Sequence, residues 1–572
     1  MTPTAEQQAI LEASGHIIRI NARAGTGKTT TLRLLAEQHR DKRILYLVFN
    51  RKAREEARKS FPRNVDALTV HALAYRHEGY KWKETLGYFS PADMLFAFAT
   101  DEQVLATLCH DFLIYFLNAP FDKLEDAVGP FCALLSEGAR ELFTHYKYRM
   151  IQAARTIATE WNTGKKPCPH DFYLKLCHKS RRFQTALTHY DIILVDEGQD
   201  LSPIMLDALK TCRQRIVLVG DSHQQIYSFR YAIDAMRTLR CQEEFELSQS
   251  FRFGESIAGI ATTFIQEAKQ EHQFRIYGNG QKPSQVSIYE NLPSASETQR
   301  IAVLSRSNIA LFENAMHFRA CCVPFGFERD LYPLLMRTLD VYWLREQRTE
   351  NIRDHLIRSF KTADDLELYT KDTENFQLRG MLEIVDRYAD EFPGVVFELS
   401  ERTRTKKDAD TSQGLILSTI HSAKGQEYDQ VYIDPDMAEN LEHALEPEVN
   451  GGHDEINVAY VGFTRAMQRL ALPPEFQTIL TPRWSSLLEE YKKEGKKIGG
   501  KGSPRPITLR RKPKSVQPLP FSSKKNKHYQ PGDKVYTSFG TGIILEIVGE
   551  YCLIDLAGKH QTKLRERLSN VW

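Results

Sequence analysis

Apolar positions along the chain fall into short continuous runs that end in polar or glycine-bearing turns, with stretches at helical spacing between them. The run His16-Ile-Ile-Arg-Ile-Asn-Ala-Arg enters a glycine-bearing turn, and a helix is expected after it from Thr29 to His39. A second run, Ile192-Ile-Leu-Val, leads directly into Asp196-Glu-Gly-Gln-Asp200. A third, Arg215-Ile-Val-Leu-Val-Gly, leads into Asp221-Ser-His-Gln-Gln-Ile-Tyr-Ser-Phe-Arg230. Each run predicts a strand. Met381-Leu-Glu-Ile-Val-Asp-Arg-Tyr has the spacing of a helix. Beyond residue 531, the runs from Lys534 to Tyr536, Gly542 to Val548 and Tyr551 to Leu556 are punctuated by Gly532-Asp533, Gly540 and Gly549. They predict a small all-β barrel of about 40 residues.

At roughly 100–200 residues per domain, 572 residues are too many for one core and imply about three to five packed units. No run of about 18 apolar residues occurs, and Met1 to Gln8 lacks a basic stretch followed by an apolar one. The expectation is a protein neither secreted nor membrane-spanning, located in the cytoplasm and associated with the nucleoid if bacterial. Nine scattered cysteines fit reduced thiols better than a disulfide framework. The net charge of +2 hides an asymmetry: Tyr491 to Gln530 carries thirteen Lys or Arg against one acid, Glu494. With five prolines and few large apolar residues, that segment predicts a solvated linker able to bind nucleic-acid backbone without sequence preference.

The turn after the first run carries phosphate chemistry. In Arg23-Ala-Gly-Thr-Gly-Lys-Thr-Thr30, Gly25 and Gly27 let backbone N–H groups close around phosphate oxygens, Lys28 reaches the β/γ-phosphates, and the Thr29 hydroxyl can hold Mg²⁺. This is a P-loop, with Ala22 where the generic form begins with glycine. Asp196, at the end of a strand, suits Mg²⁺, and Glu197 suits orienting or deprotonating a water. In the third loop, Gln224 has the chemistry to sense a γ-phosphate, and Tyr227 and Phe229 have faces that can stack a base.

With these elements in order, the sequence resembles the superfamily 1A helicases, the UvrD/Rep/PcrA group. It is most similar to the helicase core of the F-box DNA helicases, through Leu45-Tyr-Leu-Val-Phe-Asn-Arg-Lys-Ala53, Thr69-Val-His-Ala-Leu-Ala-Tyr75, His170-Asp-Phe-Tyr-Leu-Lys-Leu176, Gly220-Asp-Ser-His-Gln-Gln-Ile-Tyr227 and Gln249-Ser-Phe-Arg-Phe-Gly254. The likeness runs from about residue 4 to about 475. It implies ATP and Mg²⁺ as cofactors. Gln7 would read the adenine edge and Phe251 stack on it, with Ala24, Gly25, Thr26, Gly27, Lys28, Thr29, Thr30 and Glu427 completing the nucleotide site. Arg252 and Arg465 would reach the γ-phosphate from the second motor domain as arginine fingers. Gln224 would link that phosphate to the DNA groove, formed by Phe49, Thr69, His71, Tyr227, Phe229, Arg230, Thr419 and His421. Lys424 and Gly425 lie in Ser418-Thr-Ile-His-Ser-Ala-Lys-Gly-Gln-Glu427.

The fold class implied is α/β. Two RecA-like P-loop motor domains occupy residues 1–75 with 188–247 and 248–308 with 412–480. Mainly helical insertions occupy 76–187 and 309–411, a basic linker 485–530, and a Tudor-like or SH3-like barrel 531–572. The function implied is an ATP-dependent 3′–5′ helicase or translocase on single-stranded and forked DNA, a monomer there, in repair or control of recombination. RNA polymerase or a repair factor would dock on the barrel, and no membrane is involved. Two alternatives stay open: a DNA-stimulated ATPase that strips proteins from DNA, and an ATP-switched interaction protein docking through the barrel. Three departures bear on the choice. Thr30 stands where many relatives have an adenine-covering arginine, Asp434 to Asn457 holds no Phe, Tyr or Trp for a strand-splitting pin, and Gln7 stands close to the first residue, so that an F-box is not expected. Cys168, His170, Cys177 and His178 lack zinc-site spacing, no nuclease constellation is expected, and Cys321-Cys322 is read as buried apolar filling.

Overall fold

The computed structural model describes residues 2–98, 102–227, 231–296, 298–404, 414–445, 452–479 and 483–489, and beyond them the backbone of five short strands. The chain divides into two compact units, Met1–Leu509 and Arg510–Trp572.

The first unit contains two parallel sheets. In the first, β1 (Ile17–Ala22), β2 (Ile44–Leu47), β3 (Val65–Leu68), β4 (Ile192–Val195), β5 (Arg215–Gly220) and β6 (Glu243–Leu247) lie in the order β3-β2-β4-β5-β1-β6. Parallel central strands are covered on both faces, which is why β4 reads as unbroken Ile-Ile-Leu-Val and is buried throughout. One face packs Ile18, Ile20 and Val217 against Leu32, Leu35 and Ala36 of helix Lys28–Gln38. The other packs Leu45, Ile193 and Leu218 against Ile204, Met205 and Leu209 of helix Pro203–Lys210. Each buried Leu or Ile contributes roughly 1.5–3 kcal/mol, so this sheet is a rigid base for the loops at its carboxyl edge. Those loops are the turns after β1, β4 and β5, which meet where the strand order reverses.

Between β3 and β4 the chain forms helices Gln103–Asn118, Leu124–Cys132 and Glu137–Asn162, closed around Phe112, Phe131, Phe143 and Trp161. The second sheet uses β7 (Gln285–Ile288), β9 (Arg300–Ser305), β10 (Gly326–Phe327), β11 (Gly414–Thr419), β12 (Tyr428–Ile433) and β13 (Ala466–Leu472), in the order β10-β11-β9-β12-β13-β7. Helices Glu255–Lys269 and Gly452–Phe463 pack on it through Ile257, Phe264, Ala459 and Phe463. The stretch around Met381 is helical, within Phe376–Tyr388, and it shares a core with Leu335, Leu339 and Trp343 of helix Tyr332–Arg345. The helices inserted in the two sheets touch: Gln103 Nε2 donates to the Ser359 carbonyl at 3.1 Å, and the Thr107 and Tyr369 hydroxyls lie 2.7 Å apart. The short strand β8 (Asn291–Leu292) pairs antiparallel with β14 (Ile507–Thr508).

In the second unit β15 (Lys534–Thr537), β16 (Gly540–Val548), β17 (Tyr551–Leu556) and β18 (Lys563–Arg567) form one antiparallel sheet in chain order. The three expected apolar runs fall on its first three strands. Most of the basic stretch, 490–506 and 509–530, lies outside the described residues. No helix among the described residues is long and apolar enough to cross a membrane.

Candidate active site

The turn after β1 is shaped by backbone requirements. Gly25 and Gly27 have φ of +73° and +79°, in the left-handed region that favours glycine. Thr26 Oγ1 donates to the Arg23 carbonyl at 2.8 Å, while the Thr31 amide donates to the Gly27 carbonyl at 2.9 Å and starts the helix. The loop therefore delivers the free N–H groups of a helix N-terminus to the sheet edge, a ready anion site. Ala24 is buried and Thr29 is exposed. Gln7, positioned by a capping box with Thr4, donates from Nε2 to Thr31 Oγ1 at 3.0 Å. The Phe251 amide donates to the Gly25 carbonyl at 2.8 Å, and its ring remains 42% exposed. A Cβ added to Gly27 would lie 3.4 Å from Gln7 Nε2 and 3.5 Å from the Phe251 ring. Gln7, Gly27 and Phe251 thus form one corner, with an open aromatic face.

Lys28 Nζ donates to Glu197 Oε1 at 3.0 Å. Burial works to lower the Lys28 ammonium, but Glu197, Asp196 and Asp221 together hold it above the ordinary lysine value. Burial works to raise the Glu197 carboxyl, yet Lys28 and then Lys424 hold it at about 2. Asp196 moves the other way, raised by burial and by the charge of Glu197. Its carboxylate accepts from Tyr46 Oη at 2.6 Å and from the Glu197 amide at 2.9 Å. Glu197 has φ of +50°, which for a residue other than glycine is a strained setting of the kind found at functional sites. Gln199, wholly buried, donates to Glu197 Oε2 and accepts from the Asp221 amide at 3.0 Å. It ties the turn after β4 to the turn after β5.

The second sheet's loops close this cleft. Arg252 Nε donates to Glu427 Oε1 at 2.8 Å, and its Nη1 donates to the Thr464 carbonyl at 2.8 Å. Burial works to raise Glu427, but Arg252 and Arg465 hold it below the usual carboxylate range. Arg465 is buried, with Nε donating to the Val461 carbonyl at 3.0 Å and Nη2 donating to Gln224 Oε1 at 3.4 Å. Burial and the neighbouring Arg252 bring it down to about 9, still cationic at neutral pH. Gln224 Nε2 donates to Asp221 Oδ2 at 2.8 Å. Lys424 Nζ donates to Asp200 Oδ2 and, at 2.6 Å, to the Gln224 carbonyl.

Part of the second group of expected residues borders the same cleft. The Phe49 and Tyr227 rings stack with centroids 5.2 Å apart and planes 13° from parallel. Phe49 is 40% exposed. Lys424 Nζ sits 4.9 Å from the Tyr227 ring centre, and Tyr227 Oη donates to the His421 carbonyl at 3.3 Å. Thr69 and Thr419 cap helices Val70–His77 and Ile420–Ala423, accepting from the Ala72 and Ser422 amides. His71 Nε2 lies 2.9 Å from Asp171 Oδ1, so it faces the inserted helices. Phe229 and Arg230 lie outside the described residues.

The residues present fit a nucleoside triphosphate with a divalent cation. The glycine cradle and Lys28 suit the phosphates, and Asp196 is a half-buried carboxylate whose raised proton affinity marks a site short of positive charge. Several participants were given no role by the sequence although they lie within the runs quoted above: Tyr46, Gln199, Asp200 and Asp221. Their shared signal is polarity at the end of an apolar strand or on a buried helix. One expectation needs correction: Cys321 and Cys322 are exposed, not buried filling, because the helix Asn308–Ala320 ends there and Cys322 takes φ of +56°. Of the four other Cys and His residues, Cys168 and Cys177 are buried in apolar cores, His170 Nδ1 lies 2.9 Å from Tyr173 Oη, and His178 Nε2 lies 2.8 Å from Asp207 Oδ2. No metal-holding cluster occurs among the described residues.

This fold and cleft define a two-lobed P-loop protein of the α/β class. Residues 6–230 match the family described as an AAA domain, and residues 342–473 match the UvrD-like helicase C-terminal domain. Two segments of the chain are thus similar to domains found in UvrD-like helicases. It is 29% identical over 521 residues to F-box DNA helicase 1 of Gallus gallus, covering 83% of this chain and 49% of that protein. It is 26% identical to F-box DNA helicase protein 1 of Schizosaccharomyces pombe, covering 82% and 57%. With ATP-dependent DNA helicase UvrD2 of Mycobacterium tuberculosis the identity is 25%, covering 82% and 77%. The chain spans about half the length of the two F-box relatives.

Proposed function

We propose that this protein is an ATP-dependent DNA helicase or translocase that moves 3′ to 5′ on single-stranded DNA, in DNA repair or control of recombination. The observation that carries the reading is the convergence of Lys28, Glu197, Gln224 and Arg465 on one cleft between two parallel sheets. Thr29 and Asp196 are the residues to hold Mg²⁺, which when bound neutralises charge on the β- and γ-phosphates. Gln7 and Phe251 hold adenine by its edge and face. Lys28 has two anionic claims on it, the carboxylate of Glu197 and the incoming phosphates. When it turns to the phosphates, Glu197 loses the cation that keeps it a weak base and becomes able to take a proton from water. Arg252 and Arg465 stabilise charge on the transferred phosphoryl group from the second lobe, so turnover changes how tightly the lobes hold each other. Phe49 and Tyr227 offer stacking faces for bases without regard to sequence. The terminal sheet unit is read as a Tudor-like docking module for a protein partner.

The test is ATP hydrolysis with and without single-stranded DNA for wild type, Lys28→Ala and Glu197→Gln. Strong DNA stimulation is expected in wild type. Glu197→Gln should retain nucleotide binding while losing about 100- to 10,000-fold in kcat, and Lys28→Ala should lose turnover. Absence of turnover in wild type under every DNA condition sinks the reading. The lack of aromatics from Asp434 to Asn457 favours a second reading, protein displacement with little unwinding. Clearing of a protein-coated strand without separation of a forked duplex would select it.

A further inference from the structure

The loop after β5 is gripped from the second lobe at several points. Asn457 Nδ2 donates to the Gln225 carbonyl at 2.7 Å, and Tyr460 Oη donates to Asp221 Oδ2 at 3.1 Å. One contact differs in kind, because it runs outward through a side chain that the nucleotide site does not use. His223 is almost wholly buried, with Nδ1 3.2 Å from Asp221 Oδ1 and Nε2 2.8 Å from Glu271 Oε2. Its ring meets the edges or faces of Phe274 and Tyr460, with centroids 4.5 and 6.0 Å away. Asp221 closes β5 in the first lobe; Glu271 and Phe274 follow helix Glu255–Lys269 in the second.

We propose that His223 is a positioning residue that couples the loop carrying Gln224 to the second lobe, its imidazole spanning Asp221 on one side and Glu271 on the other. The inference rests on the reading of Gln224 as the γ-phosphate sensor. Asp221 accepts from the His223 amide at 3.1 Å as well as from Gln224 Nε2, so any shift of Gln224 moves the carboxylate that orients the imidazole. At the far end, Glu271 is drawn to about 2 first by the His223 hydrogen bond, against burial. Arg237 stands 3.8 Å from its other oxygen. The imidazole, with polar atoms at both ends of a rigid ring, reaches both carboxylates from this backbone position. The pair borders a polar cavity of about 360 Å³ that Arg19, Arg23 and Glu244 also line. That polar opening places the His223–Glu271 contact at the edge of solvent-accessible space.

The test compares wild type, His223→Ala, His223→Gln, Glu271→Ala and the double alanine variant in two assays on the whole chain. The first is hydrogen exchange of residues 255–276 with and without a non-hydrolysable ATP analogue, in the absence of DNA. Analogue-induced protection of that segment is expected in wild type and lost in each single variant. His223→Gln, which cannot span both carboxylates, should behave as His223→Ala. The second is the split between KM for ATP and DNA-stimulated kcat, with KM expected to hold within about two-fold while kcat falls about ten-fold, and with no further loss in the double variant. Protection that reaches 255–276 in the variants as in wild type, its absence in wild type, or additive losses would each overturn the coupling. A wild type that DNA fails to stimulate refutes the helicase reading instead, and the exchange assay then still decides the role of His223.

Discussion

His421 shows how burial sets the kind of contact a residue can offer. Desolvation, with Arg306 and Lys424 nearby, brings its imidazole down to about 4, so at pH 7 it is neutral. A DNA contact by His421 therefore releases no counterion. His421→Asn is expected to weaken single-strand binding by about 1 kcal/mol while leaving the slope of log K against log salt unchanged, whereas loss of a phosphate-bound lysine would reduce that slope by about 0.7. A changed slope in a salt titration would refute a neutral role. Asp200 shows a shift of the same origin and the opposite direction. Burial raises it to about 6 in spite of Lys424, so between the usual carboxylate range and about pH 6 the folded state binds the extra proton, and stability falls as pH rises through that window. Glu197, held at about 2, works the other way: its contribution is complete above the unfolded carboxylate value and is lost as pH falls through about 2. Below about pH 6, Asp200 loses its charge and Lys424 loses an anionic partner across the cleft, so DNA-stimulated turnover should fall there. Asp200→Asn should run at a lower rate with that acid limb absent, as a pH–rate profile would record. The sequence made Lys28, Asp196 and Glu197 legible because their chemistry is local to a turn. It did not point to Asp200 and Lys424 as partners, since 224 positions separate them.

At the scale of elements, the turn after β1 tolerates no side chain at its first glycine. Gly25 has φ of +73°, and a Cβ there would come within 2.6 Å of Arg252 Cβ and 2.7 Å of Ser250 Oγ. Left-handed backbone costs an alanine roughly 1–2 kcal/mol, and the contact would also push the second-lobe arginine off the loop. Gly25→Ala is expected to lower kcat/KM for ATP by about 100-fold with the melting temperature close to that of wild type. A variant with ordinary turnover would show that the close packing of Arg252 on this loop is dispensable. The strands β4 and β5 were readable because central parallel strands are covered on both faces and appear as unbroken apolar runs, whereas β1 alternates in burial and was readable from the glycine-bearing turn that follows it. Edge strand β6 is Glu-Glu-Phe-Glu-Leu, with only Leu247 buried, and carries no such signal. Nor does sequence position tell which ring is open in the loop between β6 and helix Glu255–Lys269: Phe251 is 42% exposed and Phe253, two positions on, is buried.

For the whole molecule, the cleft contacts described above lie within Met1–Leu509, and Arg510–Trp572 is a separate compact unit. Hydrolysis and its stimulation by DNA should therefore belong to the first unit alone. The contacts that join its lobes, Lys424 to Asp200, Arg465 to Gln224 and Asn457 to the loop after β5, are all internal to it. So is the link between the inserted helices through Thr107 and Tyr369. What residues 510–530 add is charge: Arg510, Arg511, Lys512, Lys514, Lys524, Lys525 and Lys527, with no acid among them. Such a stretch acts through phosphate neutralisation, which is strong in dilute salt and fades as salt rises. A chain ending at Leu509 is expected to keep its DNA-saturated ATPase rate within about two-fold. It should bind single-stranded DNA more weakly at low salt, with a shallower salt slope by about 0.7 for each phosphate the missing cations had engaged, and converge with the full chain near 0.5 M salt. Equal slopes for the two chains would remove nucleic acid as the target of the basic stretch, and loss of turnover in the shorter chain would mean that the terminal unit takes part in the motor itself.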